Sequence, residues 1–315
     1  MKIAFIGLGN VGAKLAGSLV RGGHEVCVHD LKPKAAESLC KAGARWGVSV
    51  SEAIKGCAVI ITCLPSPKAS RAVVENHLLP NLEIDQIWAE MSTTDSHEII
   101  DLGAKIIAEG GKALDCPVSG GCHRAATGNI AIFAGCSRET FEAMLPVLKS
   151  MGRQILHTGE LGSASMLKVM TNYLATANLV SVSEALTTAK ACGLDMNTTY
   201  EAFRISSGNS FVHETEGQVI LNGSRDISFT MDLVLKDIGL FQSLAEERGV
   251  PLDLSPKLVE IFKDGIARYG KRELSPNIIK RLEDATGLAV LGEGFPEEIF
   301  DDEPEEEGYE VKAKK

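Results

Sequence analysis

The sequence predicts an α/β fold: a doubly wound domain followed by an all-helical domain, the two joined by one long helix. Three observations predict it. Short apolar runs alternate with amphipathic stretches through the first half of the chain, the signature of parallel strands joined by helical crossovers. A glycine-rich turn links the first apolar run to the first amphipathic stretch. After Gly162 the strand pattern stops and apolar residues recur at helical spacing.

Strands are expected over 2–6, 25–29, 58–64, 87–90 and 112–115, with helices over 13–21, 33–42, 66–77 and 96–109 between them. Two further strands, 130–134 and 154–157, bracket a helix over 138–149, where Pro146 predicts a kink or an early break. From Ser163 to Ala191 there is no proline or glycine, and Met166, Val169, Met170, Tyr173, Leu174, Ala177 and Val180 fall at helical spacing. That reads as one helix of about 28 residues, roughly 42 Å long. Helices over 197–205, 231–248 and 256–268 follow without a strand pattern. The expected organisation is a dinucleotide-binding domain over 1–162, a helical substrate and dimerisation domain over 163–290, and an acidic tail over 291–315. The stretch 301–315 is charge-rich and poor in apolar residues, so it is expected to be mobile.

Composition excludes several classes. At 315 residues, 44% hydrophobic and 23% charged, the chain is an ordinary globular one of about two domains. Only 5% of residues are aromatic and the formal charge is −10, so nucleic acid is not an expected partner. Residues 297–315 hold nine acids and three bases, which leaves the rest of the chain at only −4. Eight cysteines stand apart with no CxxC pair and no histidine cluster. They read as buried thiols in a reducing cytoplasm, with no metal site. Cys116 and Cys122 flank the loop discussed below, but nothing in the sequence gives them a redox role. The N-terminus runs straight into a strand, so no signal peptide is expected, and no apolar run approaches the ~18 residues of a membrane span.

The turn Gly7-Leu8-Gly9-Asn10-Val11-Gly12 sits between a strand and a helix, the context that makes GxGxxG a Rossmann-type dinucleotide site. Gly7 allows the tight turn, Gly9 lets backbone approach a pyrophosphate, and Gly12 lets helix and strand pack closely. Asp30, at the end of the second strand, is placed to accept from ribose hydroxyls and to repel a 2′-phosphate. The expected cofactor is therefore NAD rather than NADP, although Lys32 and Lys34 partly offset the repulsion.

With these come Cys63-Leu64-Pro65, Met91-Ser92-Thr93, Asp115-Cys116-Pro117-Val118-Ser119-Gly120-Gly121 with Gly128 after it, Gly159-x-x-Gly162 leading to Lys168 and Asn172, and Lys236-Asp237. On these motifs, over residues 1–290, the chain resembles the β-hydroxyacid dehydrogenase family, whose best-known member is 3-hydroxyisobutyrate dehydrogenase. The family usually has Met where Val11 stands. The resemblance implies that Leu64, Pro65 and Thr93 line the cofactor. It also implies that Ser119, Gly120 and Gly121 hold the substrate carboxylate and that Lys236 reaches toward nicotinamide and substrate.

The residue chemistry agrees. Moving a hydride between an alcohol and NAD leaves a hydroxyl proton for a positioned acid or base. Lys168 stands among Met166, Leu167, Val169 and Met170, surroundings expected to lower an amine pKa toward neutrality. Asn172 is four residues on, on the same helix face, suited to bind substrate and orient Lys168. Read without the resemblance, Lys168 is an ordinary surface lysine; the resemblance makes it the catalytic one. Ser119-Gly120-Gly121 supplies a hydroxyl and unobstructed N–H groups for an anion.

Three stretches depart from the family pattern. Cys122-His123-Arg124 replaces small or acidic residues, and His123 or Arg124 faces either a second anionic group on the substrate or solvent. Residues 206–210, Ser-Ser-Gly-Asn-Ser, are rich in polar groups and suggest a polar 3-hydroxy acid. Residues 272–296 exceed the short family ending and are expected to alter the dimer surface or cover the cleft. The expected activity is an NAD-dependent oxidoreductase acting on a small polar 3-hydroxy acid and its semialdehyde or keto form, as a homodimer or homotetramer. The alternatives are a non-catalytic dinucleotide-binding scaffold, against which Lys168, Asn172 and Ser119 stand together, and an imine reductase, where the lysine is typically replaced.

Overall fold

Side-chain alternation along the first strand sets the layers of the N-terminal unit. In β1 (Lys2–Ile6), Ile3 and Phe5 enter one apolar cluster while Ala4 and Ile6 enter another, so both faces of the sheet are covered. The computed structural model describes residues 1–314 and divides into two units, Met1–Lys168 with the segment from Asp301 onward, and Val169–Phe300.

The remaining strands are β2 (Glu25–His29), β3 (Arg45–Trp46), β4 (Val59–Thr62), β5 (Ile87–Glu90), β6 (Lys112–Asp115), β7 (Val118–Ser119), β8 (Ile130–Gly135), β9 (Gly152–Gly159) and β10 (Tyr309–Val311). They form one sheet in the order β10-β9-β8-β6-β5-β4-β1-β2-β3, with β7 paired to β8. Pairing is parallel throughout the β1–β6 block, while β8 runs antiparallel to both β6 and β7. The order reverses between β1 and β4, which places the glycine turn at the switch point where such sheets bind ligands.

The crossovers of this unit are α1 (Gly12–Arg21), α2 (Glu37–Lys41), α3 (Val50–Ile54), α4 (Pro67–Val73), α5 (Ser96–Ala108), α6 (Gly121–Thr127) and α7 (Arg138–Lys149). The break expected at Pro146 does not occur: α7 runs on to Lys149. Pro146 and Glu142, the residue whose carbonyl it leaves without its helical partner, both lie on the exposed side, where that carbonyl is open to solvent.

The long helix is α8 (Ser163–Ala191), 29 residues without interruption, and the division between the units falls within it, after Lys168. The second unit continues with α9 (Met196–Arg204), α10 (Phe211–Asn222), α11 (Met231–Glu247), α12 (Leu254–Tyr269) and α13 (Lys280–Thr286). Its core gathers Leu186, Met196, Tyr200, Ile220, Met231, Ile238, Phe262 and Ile279. Residues 272–296 are part of this unit: Val290 is fully buried, Asn197 Nδ2 donates to the Glu293 carbonyl, and Asn222 Nδ2 donates to that of Phe295.

The expected mobile tail is instead an ordered part of the first unit. Tyr309–Val311 adds a parallel strand to the edge of β9, and acidic side chains before it pair with cations of that unit. Low apolar content does not prevent docking when backbone pairing and ion pairs supply the contact. Among the described residues, no helix is long and apolar enough to cross a membrane.

Candidate active site

The glycine turn has the geometry that its residues predict. A Cβ on Gly7, whose φ is +98°, would stand 2.3 Å from the Cys63 carbonyl oxygen, and one on Gly12 would stand 2.2 Å from that of Gly7. Above Gly9 there is open space, as close approach of a pyrophosphate requires. No side chain caps the N-terminus of α1. Leu8 N donates to Asp30 Oδ2 at 2.8 Å and Lys32 N to Asp30 Oδ1 at 2.8 Å, so Asp30 is tied to the turn and held in orientation. Lys32 and Lys34 are exposed. The residues present therefore fit a nicotinamide dinucleotide.

The strand ends beside this turn carry a buried network whose role the sequence reading missed. Leu64 N donates to Ser92 Oγ at 2.7 Å, and Ser92 donates to Glu90 Oε1 through its hydroxyl and, at 2.8 Å, through its amide. Thr62 Oγ1 donates to Glu90 Oε2 and accepts from Trp88 Nε1, each at 2.9 Å. Glu90 thus fixes Ser92, and Ser92 fixes the Cys63-Leu64-Pro65 loop next to Thr93. The available signal was an acid closing an otherwise apolar strand.

Ser119 ends β7, opposite Ala131 of β8. Gly120 and Gly121 follow with φ of +129° and +88°, a backbone path that side chains rarely adopt, and lead into α6. Arg124 does not choose between the two expected environments: its Nη2 pairs with Glu303 at 2.7 Å. Cys116 is fully buried, and burial pushes its thiol well above the ordinary range, so it is an inert core group.

Asp115 joins this loop to the helix that carries Lys168. Its Oδ1 accepts from Gly162 N at 2.8 Å and its Oδ2 from Ser165 N at 2.6 Å, so a strand-end carboxylate caps α8. Burial pushes the Asp115 carboxyl up, and the two amide donors oppose that shift. Lys168 follows Ser165 by three residues and is buried.

In the helical unit, Asp237 brings together two predicted residues. Asn172 Nδ2 donates to Asp237 Oδ2 at 2.6 Å, and Lys236 Nζ stands 2.7 Å from Asp237 Oδ1. The Lys236-Asp237 pair was visible in the sequence, whereas the carboxylate's bridging role was not. Three polar side chains of 206–210 are spent locally. Ser206 Oγ bonds the Phe203 carbonyl, Asn209 bonds Glu214, and Ser210 caps α10 by accepting from His213 N. They do not, by themselves, indicate a polar substrate. Among the described residues no cluster of three or more His, Cys, Asp or Glu is placed to hold a metal.

Known proteins resemble the chain along most of its length. A family profile described as the NAD binding domain of 6-phosphogluconate dehydrogenase matches residues 2–159. One described as NAD-binding of NADP-dependent 3-hydroxyisobutyrate dehydrogenase matches residues 162–282. The chain is 32% identical to 2-(hydroxymethyl)glutarate dehydrogenase of Eubacterium barkeri, over 93% of this chain and 98% of that one. It is 30% identical to NAD-dependent L-serine dehydrogenase of Pseudomonas aeruginosa, over 90% and 98%. Among solved structures, Mycobacterium tuberculosis 3-hydroxyisobutyrate dehydrogenase with L-serine superposes with a TM-score of 0.80 at 27% identity, over 89% of this chain and 98% of that one.

The Glu90 network has a consequence for pH. Burial raises the Glu90 carboxyl above its ordinary value, outweighing its hydroxyl and amide donors. The fold therefore favours the neutral form, and stability contributed here falls as pH rises from the unfolded value, about 4.3, through the raised folded one. Glu90→Gln is uncharged at every pH. In urea unfolding its stability relative to wild type is expected to rise between about pH 4.5 and about pH 8. An identical difference at both pH values contradicts the assignment.

Proposed function

This chain belongs to the β-hydroxyacid dehydrogenase family, and on that premise we propose that it interconverts a small 3-hydroxy acid and its semialdehyde or keto form, with NAD as hydride carrier. The observation that carries the reading is Asp115: one buried carboxylate anchors the helix bearing Lys168 and stands four residues before Ser119 on the same strand-loop segment.

Bound NAD supplies the hydride acceptor at the nicotinamide ring. In the oxidising direction, neutral Lys168 takes the substrate hydroxyl proton; the O–H electron pair becomes the second bond of the carbonyl as the C–H pair leaves as hydride. In reduction Lys168 returns that proton. Ser119 and the bare backbone of Gly120 and Gly121 hold the carboxylate. Asn172 orients substrate hydroxyl and lysine, and Lys236 supplies positive charge, both kept in place by Asp237. Leu64, Pro65 and Thr93 support the cofactor, with the loop held by Ser92.

The substrates named for two relatives, serine and 2-(hydroxymethyl)glutarate, share a hydroxymethyl group on the carbon next to a carboxylate. That unit is the substrate class proposed here. Asp30, whose carboxylate is fixed beside the turn, supports NAD over NADP. All eight cysteines are free thiols, which fits a reducing cytoplasm. Leu167, Met170 and Leu174 form an exposed apolar stripe on α8, which fits a homo-oligomer.

With hydroxymethyl carboxylates, including L-serine and 3-hydroxyisobutyrate, NADH absorbance is expected to report turnover. Lys168→Ala should lower kcat by roughly 10²–10⁴-fold while NADH fluorescence titration shows unchanged binding. Wild-type rates in that variant refute the lysine's role. Asp30→Ala should raise the ratio of NADP to NAD in kcat/KM by about tenfold or more, and an unmoved ratio removes the case for NAD. Sedimentation at micromolar concentration should show a dimer or tetramer, and monomer alone would contradict the oligomer.

A further inference from the structure

The C-terminal segment and Cys122-His123-Arg124 meet on one helix. α6 has seven residues between Gly120 and Gly128, both at positive φ, so it is short and has a glycine at each end. A helix of this length has little stability of its own and takes its position from whatever holds it. Its C-terminal end is held by the tail. Asp301 accepts from Thr127 Oγ1 and, at 2.7 Å, from Asn129 Nδ2; the same amide donates to the Glu303 carbonyl at 2.9 Å. Burial pushes the Asp301 carboxyl up, yet these donors outweigh it and keep it below the ordinary range. Arg124 pairs with Glu303 at 2.7 Å. Arg21, at the end of α1, bonds the Ala126 carbonyl at 2.8 Å and Glu305 at 3.1 Å, joining cofactor helix, α6 and tail through one guanidinium.

The segment is anchored beyond these contacts. Lys149 pairs with Glu307 at 3.0 Å, Arg153 with Glu306 and Arg138 with Glu310 at 2.6 Å, while β10 continues the sheet. Most of these side chains are partly exposed, so each pair is weak and screened by salt; the strand pairing and the contacts of Asp301 make them collective. The matched family profiles end at residue 282, so the strap lies outside them.

We propose that Asp301–Glu305 is a positioning strap for the substrate-carboxylate loop: by fixing Arg124, Thr127 and Asn129 it sets the placement of Ser119-Gly120-Gly121 at the other end of α6, and so the affinity for the acid substrate. The strap touches neither substrate nor cofactor. The role of the loop rests on the function proposed above, whereas the ordering of α6 does not.

Three full-length variants and one shortened chain test it. In Asp301→Asn/Glu303→Gln, and in a chain ending at Phe300, hydrogen exchange of the amides over 119–129 is expected to quicken by about tenfold without any ligand. KM for the best hydroxy acid should rise roughly tenfold, with kcat and the NADH Kd within about twofold of wild type. Arg124→Glu alone should raise KM, and adding Glu303→Arg should restore it. These two carry the test if the shortened chain does not fold. Unchanged exchange, quickened exchange with unchanged KM, or no restoration by the charge swap overturns the strap. If the wild-type chain oxidises no hydroxy acid, the function reading fails, and exchange alone still decides whether the strap orders α6.

Discussion

Asp115 is the constraint on which the rest of the site depends. It is fully buried, and its two oxygens satisfy two amides at the entry of α8. Room for it exists because residue 135 is glycine: a Cβ there would stand 2.4 Å from Asp115 Oδ1. Without the carboxylate, two buried donors lose their partner, at about 1–3 kcal/mol each. The same residue closes β6 and begins the segment leading to Ser119, so the start of the long helix and the start of that segment meet at one residue.

β1, β2, β4, β5, β6, β8 and β9, the glycine turn and α8 were legible because each writes a local period or a motif into the chain. β7 and α6 were not, since a two-residue strand and a seven-residue helix are too short to show periodicity. β10 escaped for another reason. Tyr309-Glu310-Val311 is held by an edge strand far away in sequence, and its acidic flank pairs with cations spread from Arg21 to Arg153. α10 escaped because its polar lead-in, which looked like pocket chemistry, is its cap. Among the candidate site residues, the glycines, Asp30, Ser119, Lys168, Asn172 and Lys236 were proposed from motifs. Glu90, Ser92 and Asp237 act by holding other residues, and such support has no sequence signature until partners are known.

Charge also takes a different meaning once folded. Most of the net −10 belongs to the tail, and five of its glutamates lie against Arg21, Arg124, Arg138, Lys149 and Arg153. These five glutamates are compensated where they sit, by cations of the first unit.

The central claim is that the Lys168 amine moves the substrate proton. Chemical rescue tests it most directly: the lysine is shortened to alanine and small primary amines are added at fixed pH while NADH formation is followed. The account predicts turnover restored in proportion to free amine, with efficiency rising with amine basicity. A loss of activity that no amine restores would contradict it.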